Sequence, residues 1–373
     1  MFAMAQKELR QVRRDRRTLA MMLGMPVLLL VIFGYAASFN VTSIDVEIVG
    51  PQAEQIAPQV EKLGADKGMT INVVKTDTSG DESSATDDLR NGVASVAIVT
   101  GGNTPLALID GSQLFSAQAA ETGLAQAPFQ VDTKILFNPD LNTSWYMVPA
   151  IIGLILVFVG TMITSLGVVK EREMGTLEQL AVMPFTARDI IIGKLLPYFV
   201  IGMIDLVVVT LLGALLFDVP FVGPIWQFML GGTLFLLTTL GFGVLISTLS
   251  NTQGQAIQLA LMVTLPQVLL SGMVFPLSSM ASGVRWIAWF LPLTYWVQIA
   301  RDITMKGTEF TAMWEWFVAL AVLGSVVLSL SLVRFRRDLG PSKRARRKLA
   351  ERAGQASDET EDTPGTAPEE AAR

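Results

Sequence analysis

Six stretches of this chain are apolar for long enough to cross a lipid bilayer, and this feature constrains the fold more than any other. A membrane-spanning helix needs about 20 mostly apolar residues. Only 16% of the residues are charged, whereas about a quarter are charged in a soluble domain. We therefore predict an α-helical polytopic membrane protein whose six transmembrane helices occupy residues 18–38, 145–169, 195–217, 225–249, 255–275 and 312–333.

The first of these runs has a second interpretation. It follows a cluster of arginines and ends in the small residues Ala36, Ala37 and Ser38, as a signal peptide with a cleavage site would. Its apolar part, about 21 residues, is longer than the core of a typical secretory signal, so we favour a membrane span. The fifth run is the least apolar, and we expect Pro266 to kink it.

The distribution of lysine and arginine predicts the orientation of the spans, because basic residues collect in short segments on the cytoplasmic side. Residues 1–17 hold six basic and two acidic residues, and we expect a basic amphipathic helix there. Residues 334–373 begin with a basic stretch, which would attract anionic lipid, and continue as an acidic, disordered tail. Both termini are thus predicted to be cytoplasmic in a bacterial plasma (inner) membrane, with 170–194 inside and 40–143 outside.

The segment 40–143 has the pattern of a small extracytoplasmic α/β domain and carries fourteen acidic and five basic residues. Residues of alternating polarity predict strands, and apolar residues at helical spacing predict helices. We expect Ser112 to cap the last helix and the polar stretch 76–86 to divide the domain. The predicted strands are 44–49, 70–74, 93–99, 106–109 and 131–137, and the predicted helices are 53–63, one that ends at 87–91, and 112–125.

The segment 276–311, between the last two spans, is rich in tryptophan and other aromatic residues. Such residues favour the interface between membrane and water. We predict an outer loop with short re-entrant helices. An ordered outer loop without re-entrant helices is the alternative.

The chain contains no histidine and no cysteine. This excludes disulfides, catalysis by Ser-His-Asp or Cys-His groups, and metal sites built on those ligands. The sequence also lacks the G-x-x-x-x-G-K-[ST] motif of a phosphate-binding loop. We therefore predict no catalytic residue, no metal and no bound cofactor, and no nucleic-acid partner.

The loop 170–194 is predicted to form a charged helix–break–helix unit. Thr176 stands where it would cap a short amphipathic helix, and Pro184 would end that helix. Such a unit can pass the motion of a soluble partner to the two spans that flank it. A tight connecting loop with no partner explains the same residues.

Four segments of the chain resemble ABC-2-type transporter permeases, the membrane subunits of ABC exporters. The segments occur in the same order, and between the same spans, as in that family. The loop reads KEREMGTLEQLAVMPFTARDIIIGKLLPY, and the entry into the first span reads KELRQVRRDRRTLAMMLGMPVLLLVIFGYA. The entry into the second span reads FNPDLNTSWYMVPAIIGLILVFVG. The outer segment reads SGMVFPLSSMASGVRWIAWFLPLTYWVQIARDITMKG. The large segment after the first span resembles the subgroup that includes multidrug exporter permeases.

This resemblance implies a mechanism. The loop would be a coupling helix seated in a groove of a separate ATP-hydrolysing subunit, which would bind ATP and Mg. Two such ATPase subunits would act with two permease copies in a homodimer, the commoner arrangement, or with one copy and a sister permease. The assembly would move a lipophilic compound or drug outward. The basic helix 1–17 would also rest near the ATPase. The residues that the resemblance assigns to this contact are Glu171, Arg172, Glu173, Gly175, Thr176, Glu178, Gln179 and Pro184.

Asp205 lies inside the third predicted span. A carboxylate at this depth costs about 3 kcal/mol unless it is protonated, paired or hydrated. It could line the transport pathway or attract a cation. It could equally reach water or bond to a neighbouring span.

Three other functions remain possible from the residues. Asp205 alone favours an ATP-driven sodium exporter permease of similar architecture. A non-transporting envelope receptor or scaffold would display the outer domain but would not need a coupling helix. A membrane-embedded enzyme is disfavoured because the spans hold no cluster of carboxylates.

Overall fold

The computed structural model describes residues 16–36, 41, 43–66, 70–102, 104–126, 130–175 and 187–339. These residues form two units, a β-sheet flanked by helices and a bundle of long apolar helices. The predicted helix in 1–17 lies almost wholly outside the described residues, as does most of the tail 334–373.

The sheet unit contains five strands in the spatial order β2-β1-β3-β4-β5. Only the β3–β4 pair is antiparallel among these neighbours. The sequence predicted all five strands to within a few residues, the first two of them from the alternation of polar and apolar residues. The strands are β1 (Ser43–Val49), β2 (Thr70–Asp77), β3 (Val96–Val99), β4 (Leu106–Asp110) and β5 (Asp132–Leu136), and the helices of this unit are α2 (Ala53–Asp66), α3 (Glu82–Arg90) and α4 (Leu114–Ala125).

Two local predictions in this unit are wrong. The stretch 76–86 does not divide it, because α3 begins within the stretch, where Asp81 and Ser84 form a reciprocal capping box. Ser112 does not cap α4, whose N-cap is Gln113 without a side-chain bond. The Ser112 hydroxyl instead donates to Oδ1 of Asp110 at 2.6 Å, because Asp110 is buried at the end of β4 and needs donors.

Four of the described helices are long and apolar enough to cross a membrane. The two other predicted spans are also helical, and they pack on each other through Ile32 and the pair Leu269 and Leu270. The four helices are α5 (Thr143–Glu173), α6 (Ala187–Phe217), α7 (Ile225–Leu249) and α11 (Phe310–Leu339); the two others are α1 (Arg16–Ala36) and α8 (Gln253–Leu270).

The helices run between two ends of the bundle. The sheet end carries the sheet unit and the turn 218–224, whose Gly223 donates its N–H to the oxygen of Ile303. The loop end carries the last turn of α5 and the start of α8.

The helices α5 and α7 cross closely, since a Cβ on Gly243 would lie 2.3 Å from the main-chain oxygen of Gly160. Gly160 belongs to a π-helical turn, Phe158–Ile163, within α5.

The segment 276–311 contains the short helices that the sequence predicted. Trp296 is fully buried in the bundle core, where its indole N–H donates to the oxygen of Pro149 at 3.0 Å. The part of the segment from Pro292 to Arg301 is therefore part of the core, whereas Trp286 and Phe290 before it are exposed. Its elements are a 3-10 turn (Leu277–Ser279), α9 (Ser282–Ala288), α10 (Pro292–Arg301) and a π-helical turn (Asp302–Lys306).

Candidate functional site

The residues predicted to couple the chain to a partner lie at the loop end, and the structure describes half of them. Glu171, Arg172 and Glu173 form the last turn of α5, and Gly175 follows with a φ of +73°. Glycine adopts this left-handed conformation at little cost and so lets the chain leave the helix. The other four predicted residues lie outside the described residues, namely Thr176, Glu178, Gln179 and Pro184.

Arg172 joins the end of α5 to the end of α7. Its Nη1 donates to the main-chain oxygen of Ser250 at 2.7 Å and to that of Ser247 at 3.0 Å. The last carbonyl groups of a helix have no partner within the helix and carry partial negative charge. The guanidinium therefore satisfies both the hydrogen-bonding need and the dipole of α7.

Glu173 makes the complementary contact with the start of α8. Its carboxylate accepts from the main-chain N–H of Gln253 at 2.9 Å and from the side-chain amide of Gln253 at 2.6 Å. The first N–H groups of a helix favour a negative partner. Two neighbouring residues of opposite charge thus hold both sides of the short turn between α7 and α8.

Glu171 joins α5 to α6. Its carboxylate forms an ion pair with the ammonium group of Lys194. The side chain of Lys194 is only 17% exposed, so this pair is partly shielded from water. Glu171, Arg172 and Glu173, which we call the loop-end clamp, therefore connect the start of the predicted coupling loop to three other helices.

Asp205 is not part of this arrangement. It is half-buried in α6, 18 residues after the helix begins at Ala187, which is roughly 27 Å along the axis at 1.5 Å per residue. Among the described residues, no group of three or more histidine, cysteine, aspartate or glutamate side chains could hold a metal ion.

An apolar groove of about 320 Å³ opens between α6, α7 and α11 in the half of the bundle nearest the loop end. Leu195, Phe199, Leu240 and Val244 line it, and Ser331 contributes a buried hydroxyl. That hydroxyl already donates to the oxygen of Gly241 at 2.7 Å. The groove therefore offers apolar surface, which suits a lipid chain or a lipophilic compound.

Sequence reasoning missed the partners of the clamp and a second charged cluster at the sheet end. Lys306 is buried and lies 2.7 Å from a carboxylate oxygen of Asp110 and 3.7 Å from one of Asp302. Burial lowers the pKa of Lys306, but the two carboxylates outweigh it and raise that pKa overall. Thr308 adds a hydrogen bond to the oxygen of Arg90. Only the i,i+4 spacing of Asp302 and Lys306 is visible in the sequence.

Comparison with known proteins identifies the family. The profile described as "ABC-2 family transporter protein" matches residues 16–333. The chain is 29% identical over 363 residues to the "Probable multidrug ABC transporter permease YbhR" of Escherichia coli K12, with 90% of this chain and 98% of that protein covered.

Two further relatives come from the same organism. The "Probable multidrug ABC transporter permease YbhS" is 29% identical over 337 residues, covering 82% of this chain and 88% of that protein. The "Inner membrane transport permease YhhJ" is 34% identical over 215 residues, covering 56% of each chain. This chain therefore belongs to the ABC-2 family of transporter proteins.

Proposed function

We propose that the chain is the transmembrane permease subunit of an ATP-binding cassette exporter, which moves a lipophilic compound or drug out across the bacterial plasma membrane. Membership of the ABC-2 family supports this, as do two relatives named probable multidrug permeases. ATP and Mg would be bound by a separate ATPase subunit, because the sequence has no phosphate-binding loop.

The observation that carries the proposal is the loop-end clamp. A subunit that pushed on residues 176–186 would move the end of α5, and the clamp would pass that displacement to α6, α7 and α8. A loop that only connects two spans does not need polar contacts to three helices. A conformational change of this kind requires contacts that differ between the two states, and the clamp supplies groups that can make them.

The proposed arrangement has six spans, both termini in the cytoplasm and the sheet unit outside. The positions of the sheet end and the loop end at opposite ends of the bundle agree with it. We propose two permease copies, most simply a homodimer, with two ATPase subunits. In the most apolar stretches of α6 and α11 only 17% and 28% of the residues are buried, which leaves apolar surface for lipid and for a second copy.

The experiment expresses the chain with the ATPase encoded beside it, purifies the pair and measures ATP hydrolysis in lipid with lipophilic drugs and with sodium. We expect co-purification and drug-stimulated hydrolysis. Glu178→Arg should abolish the stimulation, whereas Glu121→Arg on the exposed surface of α4 should not.

The outcomes separate the alternatives. Stimulation by sodium in place of drugs, lost in Asp205→Asn, would indicate the sodium exporter. Failure to co-purify, with Glu178→Arg behaving as wild type in transport, would reject the coupling proposal and favour a receptor or scaffold.

A further inference from the structure

A cavity of about 410 Å³ lies between the sheet unit and the sheet end of the bundle. Its volume falls within the range of small-molecule sites, about 300–1,000 Å³. The sheet unit contributes Val93, Ser112 and Phe115 to the lining, and the bundle contributes Trp289 and Arg301. No step of the proposed coupling mechanism uses this cavity.

One charged group in the cavity wall has no ion-pair partner among the described residues. Lys306 is paired with Asp110 and Asp302, and Asp45 accepts a hydrogen bond from Asn72 at 2.9 Å. Arg301 lies in the same wall and forms no ion pair with any carboxylate among the described residues. The wall therefore contains a buried guanidinium that no carboxylate bonds directly, although the charge of the neighbouring Asp302 acts on it.

The guanidinium of Arg301 is held in place by hydrogen bonds, but not all of its donors have an acceptor. It is 6% exposed, its Nε donates to the oxygen of Tyr146 and its Nη1 to the oxygen of Gly272, both at 3.1 Å. The guanidinium carbon lies 3.4 Å from the centre of the Tyr146 ring. Nη2 is buried and has no hydrogen-bond partner in the part of the chain that the structure describes.

A buried charged donor without an acceptor is unfavourable, because it has lost its hydrogen bonds to water without replacement. Two oxygens of one anionic group can accept from a guanidinium together, and this is the geometry that arginine favours in binding carboxylates and phosphates. The exposed Arg285 on α9, also in the cavity wall, adds positive charge at the same cavity. Phe115 and Trp289 offer aromatic surface beside these charges.

We propose that this cavity binds an amphipathic anion, with its carboxylate or phosphate group on Arg301 and its apolar part against Phe115 and Trp289. The anionic group belongs either to a lipid or to a free solute, and the shared chemistry is an acid group joined to an apolar chain. Binding here does not depend on an ATPase or on the direction of transport, so it stands or falls separately from the proposed function.

The first test titrates the full purified chain, in a neutral detergent and without nucleotide, with hexyl phosphate and hexanoate by calorimetry. Hexyltrimethylammonium is the control of opposite charge, and inorganic phosphate is the control without a chain. We expect both amphipathic anions to bind and the cation not to bind. Arg301→Gln should weaken binding roughly 10- to 100-fold, which is the effect of removing a charge-assisted hydrogen bond, and Arg90→Gln outside the cavity should leave it unchanged.

A second pair of variants covers the case in which Arg301→Gln does not fold. Val93 and Val74 are exposed to similar extents, 42% and 47%, but only Val93 lines the cavity. Val93→Trp should fill the cavity and abolish binding, while Val74→Trp should bind as wild type. Equal binding by these two variants would overturn the proposal, as would equal affinity for the anion and the cation.

A third measurement identifies the source of the anion. The chain is placed in nanodiscs of phosphatidylcholine with or without phosphatidylglycerol, and the retained lipid is counted by native mass spectrometry. Retention of phosphatidylglycerol that is lost in Arg301→Gln or Val93→Trp indicates a lipid ligand. Binding of hexyl phosphate without such retention indicates a soluble one, and no binding in either measurement rejects the site.

Discussion

The ammonium group of Lys306 lies 2.7 Å from Oδ2 of Asp110, and this ion pair joins the helical bundle to the β-sheet. Both side chains are buried, at 3% and 0% exposed. Asp110 ends β4, whereas Lys306 ends the π-helical turn that follows α10. Lys306 also donates to the oxygen of Leu89, the penultimate residue of α3, at 3.3 Å. One side chain thus fixes two elements of the sheet unit against the bundle.

Breaking this pair should destabilise the protein strongly. Lys306→Met leaves the buried Asp110 without its cation, and such losses reach about 3–5 kcal/mol. Lys134→Met is the matched control, because the exposed pair of Lys134 with Glu82 should contribute about 0–1 kcal/mol. We expect a large fall of the thermal midpoint for Lys306→Met and almost none for Lys134→Met. Equal midpoints would contradict the predicted importance of the pair.

The stability of the sheet unit should fall as pH rises towards 8. Burial raises the pKa of Glu47 from 4.5 to about 7, helped by Asp88 and opposed by Lys75. An acid whose pKa is higher in the folded state contributes stability that is complete below its unfolded pKa and is lost as pH rises through the folded value. Burial also raises the pKa of Asp302, to about 6, which acts in the same direction.

The measurement is the thermal midpoint of the full chain between pH 5 and pH 8. Glu47→Gln should flatten the fall of the midpoint across this range, because the variant has no ionisable group at position 47 and only the smaller effect of Asp302 remains. Glu121→Gln, at an exposed position of α4, should keep the wild-type slope. A slope that Glu47→Gln leaves unchanged would show that Glu47 does not titrate in this range.

The close crossing of α5 and α7 should not tolerate a larger residue. In Gly243→Ala the new Cβ would meet the oxygen of Gly160 at 2.3 Å, so one helix must move. Overpacking of this kind destabilises by about 1–3 kcal/mol. Gly193→Ala in α6 is the control, since a Cβ there meets nothing within 4 Å. Chemical denaturation of the two variants should separate them clearly, and similar midpoints would mean that α7 can shift freely.

Loss of the loop-end clamp should impair coupling more than assembly. Arg172→Met and Glu173→Met remove the hydrogen bonds to the ends of α7 and α8 but leave residues 176–186 unchanged. We expect co-purification with the ATPase to persist, while drug-stimulated hydrolysis falls about tenfold, equivalent to 1.4 kcal/mol of lost coupling. Arg334→Met, at an exposed position of α11, is the control. Retained stimulation in both clamp variants would locate the coupling elsewhere.

The elements of the sheet unit were predictable where one face of a strand is buried. In β2 exposed and partly buried side chains alternate along the whole strand, and a period of two residues is visible without any partner strand. The start of α3 was missed because Asp81 and Ser84 act as caps in a stretch whose composition is typical of a loop. The fifth predicted span, which is α8, ends at Leu270 and not at the predicted 275, because Gly272 adopts a φ of +82°.

The candidate site was predictable only in part. The sequence of 170–189 indicated the family, and the coupling role of its residues stays a prediction. It did not show that Arg172 reaches Ser250 or that Glu171 reaches Lys194. Hydrogen bonds between residues distant in the sequence depend on how whole helices are placed. Arg301 was not predicted for the same reason. It is one of several arginines in the sequence, and only its burial in the folded protein distinguishes it from the others.

The sequence by itself determined that the chain is a helical membrane protein of the ABC-2 family with an α/β insertion, because apolar length, periodicity and motif order are local properties of the chain. Tertiary structure alone decided which charges meet. Lys306 pairs with Asp110 across 196 positions, the loop-end clamp joins four helices, and Nη2 of Arg301 is left without a hydrogen-bond partner among the described residues. Buried charges are stable only where packing brings partners within hydrogen-bond distance, and that placement results from the packing of the complete fold.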